Sequence, residues 1–135
     1  MDNMKWNEKL KTGVAILDKQ HKEYLSLCEK AYKTAKSKSA GLSAALKAAN
    51  KAAAQHFKTE EEMMGMVFYP ELQGHKNLHD KFLKMEEAIA KEAELGADSK
   101  KLADKIKEEL FDWFVLHIEK NDLKLAKILK LNNIK

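Results

Sequence analysis

Five histidines and a few carboxylates are the residues of this chain best suited to holding or transforming a ligand. His21, His56, His75, His79 and His117 are all of its histidines, and each sits at helical spacing from apolar neighbours. His21 shares a stripe with Leu17, Tyr24, Leu25 and Cys28; His56 with Ala49, Ala52, Ala53 and Met63; His75 and His79 with Leu72, Phe82, Glu86 and Ile89; His117 with Leu110, Trp113 and Phe114. An apolar stripe covers about a third of a helix, so five independent placements on one coincide under about 1% of the time. A buried imidazole needs a hydrogen bond or a metal. Carboxylates stand at the same level. His56 and Glu60 are i,i+4, as are His75 and His79, so each pair shares a face. Glu61 and Glu62 are rotated away and expected in solvent. Asp122 follows His117 by five residues, about 140° around an ideal helix, and a π-bulge is needed to bring it back into line.

The tally is five neutral nitrogen donors and two anionic oxygen donors: His21, His56, Glu60, His75, His79, His117 and Asp122. Seven protein ligands are too many for one tetrahedral zinc. They suit two metals sharing two bridging carboxylates, and borderline imidazole ligands point to iron. Other metal motifs fail. His75-Lys76-Asn77-Leu78-His79 has zinc-protease spacing but Lys76 where the glutamate base belongs. A Cys/His finger needs more than the single Cys28. The carboxylate-rich di-iron enzymes use paired Glu-x-x-His, absent here. Five histidines donate less negative charge to high-valent iron, which favours reversible binding over oxygen activation.

Four helical periods must position these residues, over about 18–37, 42–64, 70–95 and 99–131, behind an N-terminal arm, 1–17, that carries Trp6. Gly65 is expected to end the second, Pro70 to open the third, Gly96 to cap its end, and Asp98 or Ser99 to start the fourth. Short connections make neighbours antiparallel. The expected fold is all-α, an up-down-up-down four-helix bundle with a short C-terminal helical extension. Alternating direction brings all five histidines to one end, within a slab about 10–15 Å thick.

Composition agrees. The 135 residues suit one domain. Five glycines and one proline are too few for a many-stranded sandwich or barrel. With 44% hydrophobic and 34% charged residues and no long apolar run, the chain is neither a membrane protein nor disordered. No signal peptide stands at its start, and a lone cysteine fits a reducing, cytoplasmic setting. The net charge of +4 rests entirely on lysine, interspersed with the 21 acidic residues, which describes a solvated surface rather than a nucleic-acid face. Cys28 is expected in the core two turns below His21, and Met63, Met64 and Met66 as core filler.

Together these pieces resemble the hemerythrins, most closely the single-domain bacterial ones. The resemblance rests on Trp6, Asp18-Lys19-Gln20-His21, His56-Phe57-Lys58-Thr59-Glu60-Glu61, Tyr69-Pro70, His75-Lys76-Asn77-Leu78-His79 and Trp113 through Asp122. It spans nearly the whole chain and departs at Asn7, where bacterial members commonly carry Asp, and in a long stretch between His79 and His117.

The resemblance implies a non-haem centre of two iron ions that binds O2. His75, His79 and His117 would ligate one iron, and His21 and His56 the other, leaving a position open. Glu60, Asp122 and an oxo/hydroxo group would bridge the pair. Leu25, Trp113, Phe114 and Ile118, within a turn of ligands, are the expected O2 pocket. The function expected is storage, delivery or buffering of oxygen by a cytoplasmic monomer that is not an enzyme and engages neither nucleic acid nor membrane. The alternatives are an O2 or redox sensor acting through a signalling or oxygen-consuming protein partner, and an enzyme consuming peroxide or nitric oxide.

Overall fold

The structure, a computed structural model, describes residues 4–135; residues 1–3 of the expected arm lie outside it. The chain is an all-α four-helix bundle. Helix α1 is Ala15–Lys36, α2 Leu42–Met66 and α3 Leu72–Glu94. Helix α4 runs without a break over 99–131 and changes its winding four times: α over Ser99–Lys105, π over Ile106–Asp112, α over Trp113–His117, π over Ile118–Asp122 and α over Leu123–Leu131. α1 packs against α2 and α4, and α3 packs against the same two, so each helix lies beside its sequence neighbours.

Several helix ends differ from the sequence expectation. α1 begins at Ala15, three residues before Asp18. Asp18 lies a turn inside and reaches back to the arm, accepting from Thr12 N and Oγ1, each at 2.8 Å, and from Gly13 N at 3.2 Å. The arm is thereby tied down one turn from His21. Asn7 caps the short 3-10 turn Glu8–Leu10, its Oδ1 accepting from Lys9 N. α3 begins at Leu72 because Pro70 and Glu71 complete a turn. Asp98 precedes α4 as expected, but its side chain makes no capping bond.

All four helices close in the same way, with a left-handed residue just past the end and an amide reaching back five residues. Only Gly96 does this without steric cost; Lys38, Phe68 and Asn133 take the same conformation with side chains. Gly65 therefore does not end α2. The helix continues to Met66, and Phe68, at φ 53°, turns the chain so that Tyr69 N reaches Met64 O. Phe68 is 90% exposed, so its ring packs little. Replacing Phe68 with glycine is expected to stabilise the protein by about 1 kcal/mol, roughly 3 °C in Tm. A thermal melt no higher than that of the parent chain refutes this.

The main core joins Tyr24, Leu25, Cys28, Leu46, Phe57, Phe82, Phe114 and Ile118. A second cluster, Val14, Leu17, Met64, Tyr69, Leu125, Ala126 and Leu129, closes the histidine end. The C-terminal extension thus serves as a lid over that end. Met64 is core filler, Met63 half-buried, and Met66, contrary to expectation, exposed.

Candidate metal centre

Each helix sends donors into one layer. α1 supplies His21, α2 His56 and Glu60, α3 His75 and His79, and α4 His117 and Asp122, all buried. The i,i+4 pairs come from ordinary α-helix, whereas Asp122 does not. The π stretch Ile118–Asp122 begins at the residue after His117, and its wider turn aligns residues five apart. Asp122 Oδ1 consequently lies 3.2 Å from His117 Nε2.

The donors divide into two groups. In one, His75 Nε2 is 3.1 Å from Asp122 Oδ1 and 3.5 Å from Glu60 Oε1, and His79 Nε2 is 3.2 Å from Glu60 Oε1. His117 Nε2 lies 3.1 Å from the Nε2 atoms of both His75 and His79. In the other, His21 Nε2 is 3.0 Å from Asp122 Oδ2, and His56 Nε2 is 3.5 Å from Glu60 Oε2. Both carboxylates are split, one oxygen to each group. Spacings near 3 Å between atoms that all present lone pairs are the edges of a coordination polyhedron, since metal–ligand bonds of about 2.1 Å at right angles span that distance.

Electrostatics point the same way. Glu60 is fully buried, yet neither carboxylate oxygen has a hydrogen-bond partner, and His56 Nε2 is likewise sealed and unpaired. A buried carboxylate with no donor costs several kcal/mol unless a cation faces it. Burial and the charge of Asp122 both resist ionising Glu60, but the facing imidazoles hold its carboxyl below the usual range. Asp122 is buried too, and His117 foremost among its neighbours holds it well below its ordinary value. Burial alone would lower His56 and His75; the two carboxylates overcome it and raise both to about 9. The donor set therefore fits a pair of cations that replaces these protons.

The imidazoles are held from behind. His56 Nδ1 donates to Gln20 Oε1 at 2.8 Å, and Gln20 is oriented by Thr59, whose Oγ1 accepts from its Nε2 and donates to Gln55 O. This chain keeps the proton on Nδ1 and leaves the Nε2 lone pair toward the cluster. His79 Nδ1 donates to Glu61 Oε2 at 2.9 Å, so Glu61 is not simply in solvent as the helical wheel suggests. Phe57 stacks on His79 at 3.9 Å and Trp113 on His117 at 4.8 Å. Gln20→Ala leaves the His56 tautomer unfixed and is expected to weaken metal affinity about 10–100-fold, measured by chelator competition. Unchanged affinity would remove Gln20 from the site.

The expected pocket residues do not act alike. Phe114 lies 5.8 Å, ring to ring, from both His21 and His56, beside the smaller donor group. Leu25 and Ile118 are fully buried in the same core. Trp113, by contrast, covers His117 of the larger group. Sequence reasoning also passed over Glu86, which the stripe places inside but gives no role. Its carboxyl accepts from Tyr24 Oη at 2.6 Å and from Asn50 Nδ2 at 3.2 Å, and burial raises it to about 7.

The model of the hemerythrin HHE cation binding domain matches residues 12–129. The chain belongs to this hemerythrin family. Bacteriohemerythrins from Pseudomonas aeruginosa and Pseudomonas paraeruginosa are each 24% identical over 123 residues, spanning 90% of this chain and 78% of theirs. One from Stenotrophomonas maltophilia is 25% identical over 126 residues, spanning 93% and 80%. As a hemerythrin domain the chain is a cation-binding protein, and its His/Glu/Asp cluster is the part with the chemistry for a non-haem metal. No helix of the described residues is long and apolar enough to cross a membrane.

Proposed function

We propose that this chain is a non-haem di-iron protein that binds O2 reversibly, as a monomer in a reducing, cytoplasmic setting, and is not an enzyme. The supporting observation is the unequal division of donors. Glu60, His75, His79, His117 and Asp122 form a group of five, and His21, His56, Glu60 and Asp122 a group of four. With an oxo/hydroxo group added, the five residues of the first group would fill the coordination of a metal held there, and the four of the second would leave room for a ligand on the side of His21 and His56. An iron pair held by these residues would lend electrons to O2 and take them back on its release. The chain's own residues do the rest: Glu60 and Asp122 hold the metals together, Gln20 and Glu61 fix their histidines, and Phe114, Leu25 and Ile118 keep the His21–His56 side apolar.

That apolar side is what separates reversible binding from oxidation. Water and anions help expel a reduced oxygen ligand, so a wall without polar atoms protects the loaded state. Ile118→Gln is expected to speed autoxidation about tenfold or more while leaving the iron content unchanged. The decay of the oxygenated absorption band, set beside an iron assay, measures it; an unaltered decay excludes Ile118 from the wall. The deciding experiment is the spectrum of the iron-loaded protein, reduced, exposed to air and then deoxygenated. A band that deoxygenation removes and air restores supports the proposal. Steady turnover of peroxide or nitric oxide without such a band replaces it with an enzyme.

A further inference from the structure

The five histidines differ in what stands behind the ring. His56 and His79 donate through Nδ1 to Gln20 and Glu61, and the His21 Nδ1 is sealed in the core. His75 turns Nε2 into the cluster, and its Nδ1 has no acceptor among the described residues and is not sealed either. The same ring helps to line a groove of about 410 Å³ between the start of α3 and the Ile118–Asp122 stretch of α4, together with Tyr69, Glu71, Gly74, Leu78, Lys120, Asn121 and Lys124. That volume lies in the range of small-molecule sites. Lys124 is held at the rim by Glu71, 2.7 Å away, whereas Lys120 has no ion pair among the described residues. Gly74 keeps the groove wide, since a Cβ added there meets nothing within 4 Å.

The one carboxylate of the lining, Glu71, is matched by Lys124, so the ring N–H of His75, the amide of Asn121 and the ammonium of Lys120 are left to ask for a compact anion with an acceptor oxygen. We propose that the groove is a second ligand site, taking a carboxylate whose oxygen accepts the His75 Nδ1–H and whose charge is met by Lys120. This rests on the reading of His75 as a metal ligand through Nε2. A carboxylate behind a metal-bound imidazole makes it a stronger donor. Occupancy of the groove is then felt at the metal without contact with it.

The reduced, iron-loaded protein provides the test, because unpaired electrons on iron displace the exchangeable Nδ1–H signals of bound histidines far from the rest of the proton spectrum. Titration with succinate is expected to move one such signal saturably and to slow its exchange with water. Lys120→Glu should weaken that response about tenfold, and Gly74→Leu, which fills the groove, should remove it, with iron content unchanged in both. An oligoglutamate peptide forms the second arm: tighter binding than succinate, at the same signal, assigns the carboxylate to an acidic side chain of a protein, and weaker binding assigns it to a free small molecule. A displaced signal indifferent to both probes, or a response equal in all three chains, overturns the groove site alone. Bound iron with no displaced exchangeable signal from His75 overturns the ligand reading beneath it as well.

Discussion

Glu60→Ala is expected to lower bound iron from two atoms per chain to one or none. Glu60 gives Oε1 to the group of His75 and His79 and Oε2 to the group of His56, so its loss removes a donor from both groups and one of two protein bridges. No neighbour can substitute, because Glu61 is committed to His79 Nδ1 and Glu62 is exposed. In the metal-free fold protonated His56 and His75 face this carboxylate near pH 6, so its loss strands them without their partner and should lower the stability of that form as well, by a few kcal/mol. Iron analysis and thermal melts of the stripped and loaded forms, with Glu62→Ala as control, measure both. Retention of two irons by Glu60→Ala would falsify the bridging role.

A second large effect follows from pH. In the metal-free protein His56 and His75 are raised to about 9 from 6.5, so their contribution to stability is complete below about pH 6.5 and is lost as pH rises through 9. The lowered carboxyls of Glu60 and Asp122 contribute above their ordinary values of 4.5 and 3.8 and lose this as pH falls. Metal-free protein should be most stable near pH 5–6.5 and lose a few kcal/mol by pH 9.5. Glu86, raised to about 7, stabilises the fold at low pH and loses that contribution as pH rises through 7. It lies outside the donor groups and acts in both forms, so comparison with iron-loaded protein removes its contribution. With iron in place the cations, not protons, offset the carboxylates, so the decline attributable to the histidines disappears and iron uptake releases protons. Melting curves at pH 6 and pH 9 that shift equally in the two forms sink this coupling.

How much was legible beforehand depends on how local the cause is. Helical periodicity sets which residues share a face, and alternating helix direction sets the end at which they gather, so the bundle and the convergence of His21, His56, His75, His79 and His117 on one layer were readable from spacing. Even the need for a π turn before Asp122 is an angular fact about residues five apart. Helix ends were less so, because Phe68 and Lys38 adopt the left-handed conformation that sequence reasoning reserves for glycine, and backbone bonds to the preceding turn stabilise it regardless of side chain.

The tertiary structure alone decided the rest. Glu61 points away from Glu60 on a helical wheel, yet a flexible three-carbon side chain reaches across to α3 and finds His79. Gln20 meets His56 from a different helix, Trp113 lies over His117 rather than on the side of His21, and Tyr24, Asn50 and Glu86 form a polar contact across three helices. The division of each carboxylate between two donor groups belongs here too. The sequence determined which side chains face inward, because that is fixed within one helix. Which of them touch depends on the rotation and height of one helix against another, and those are set by packing of the whole core.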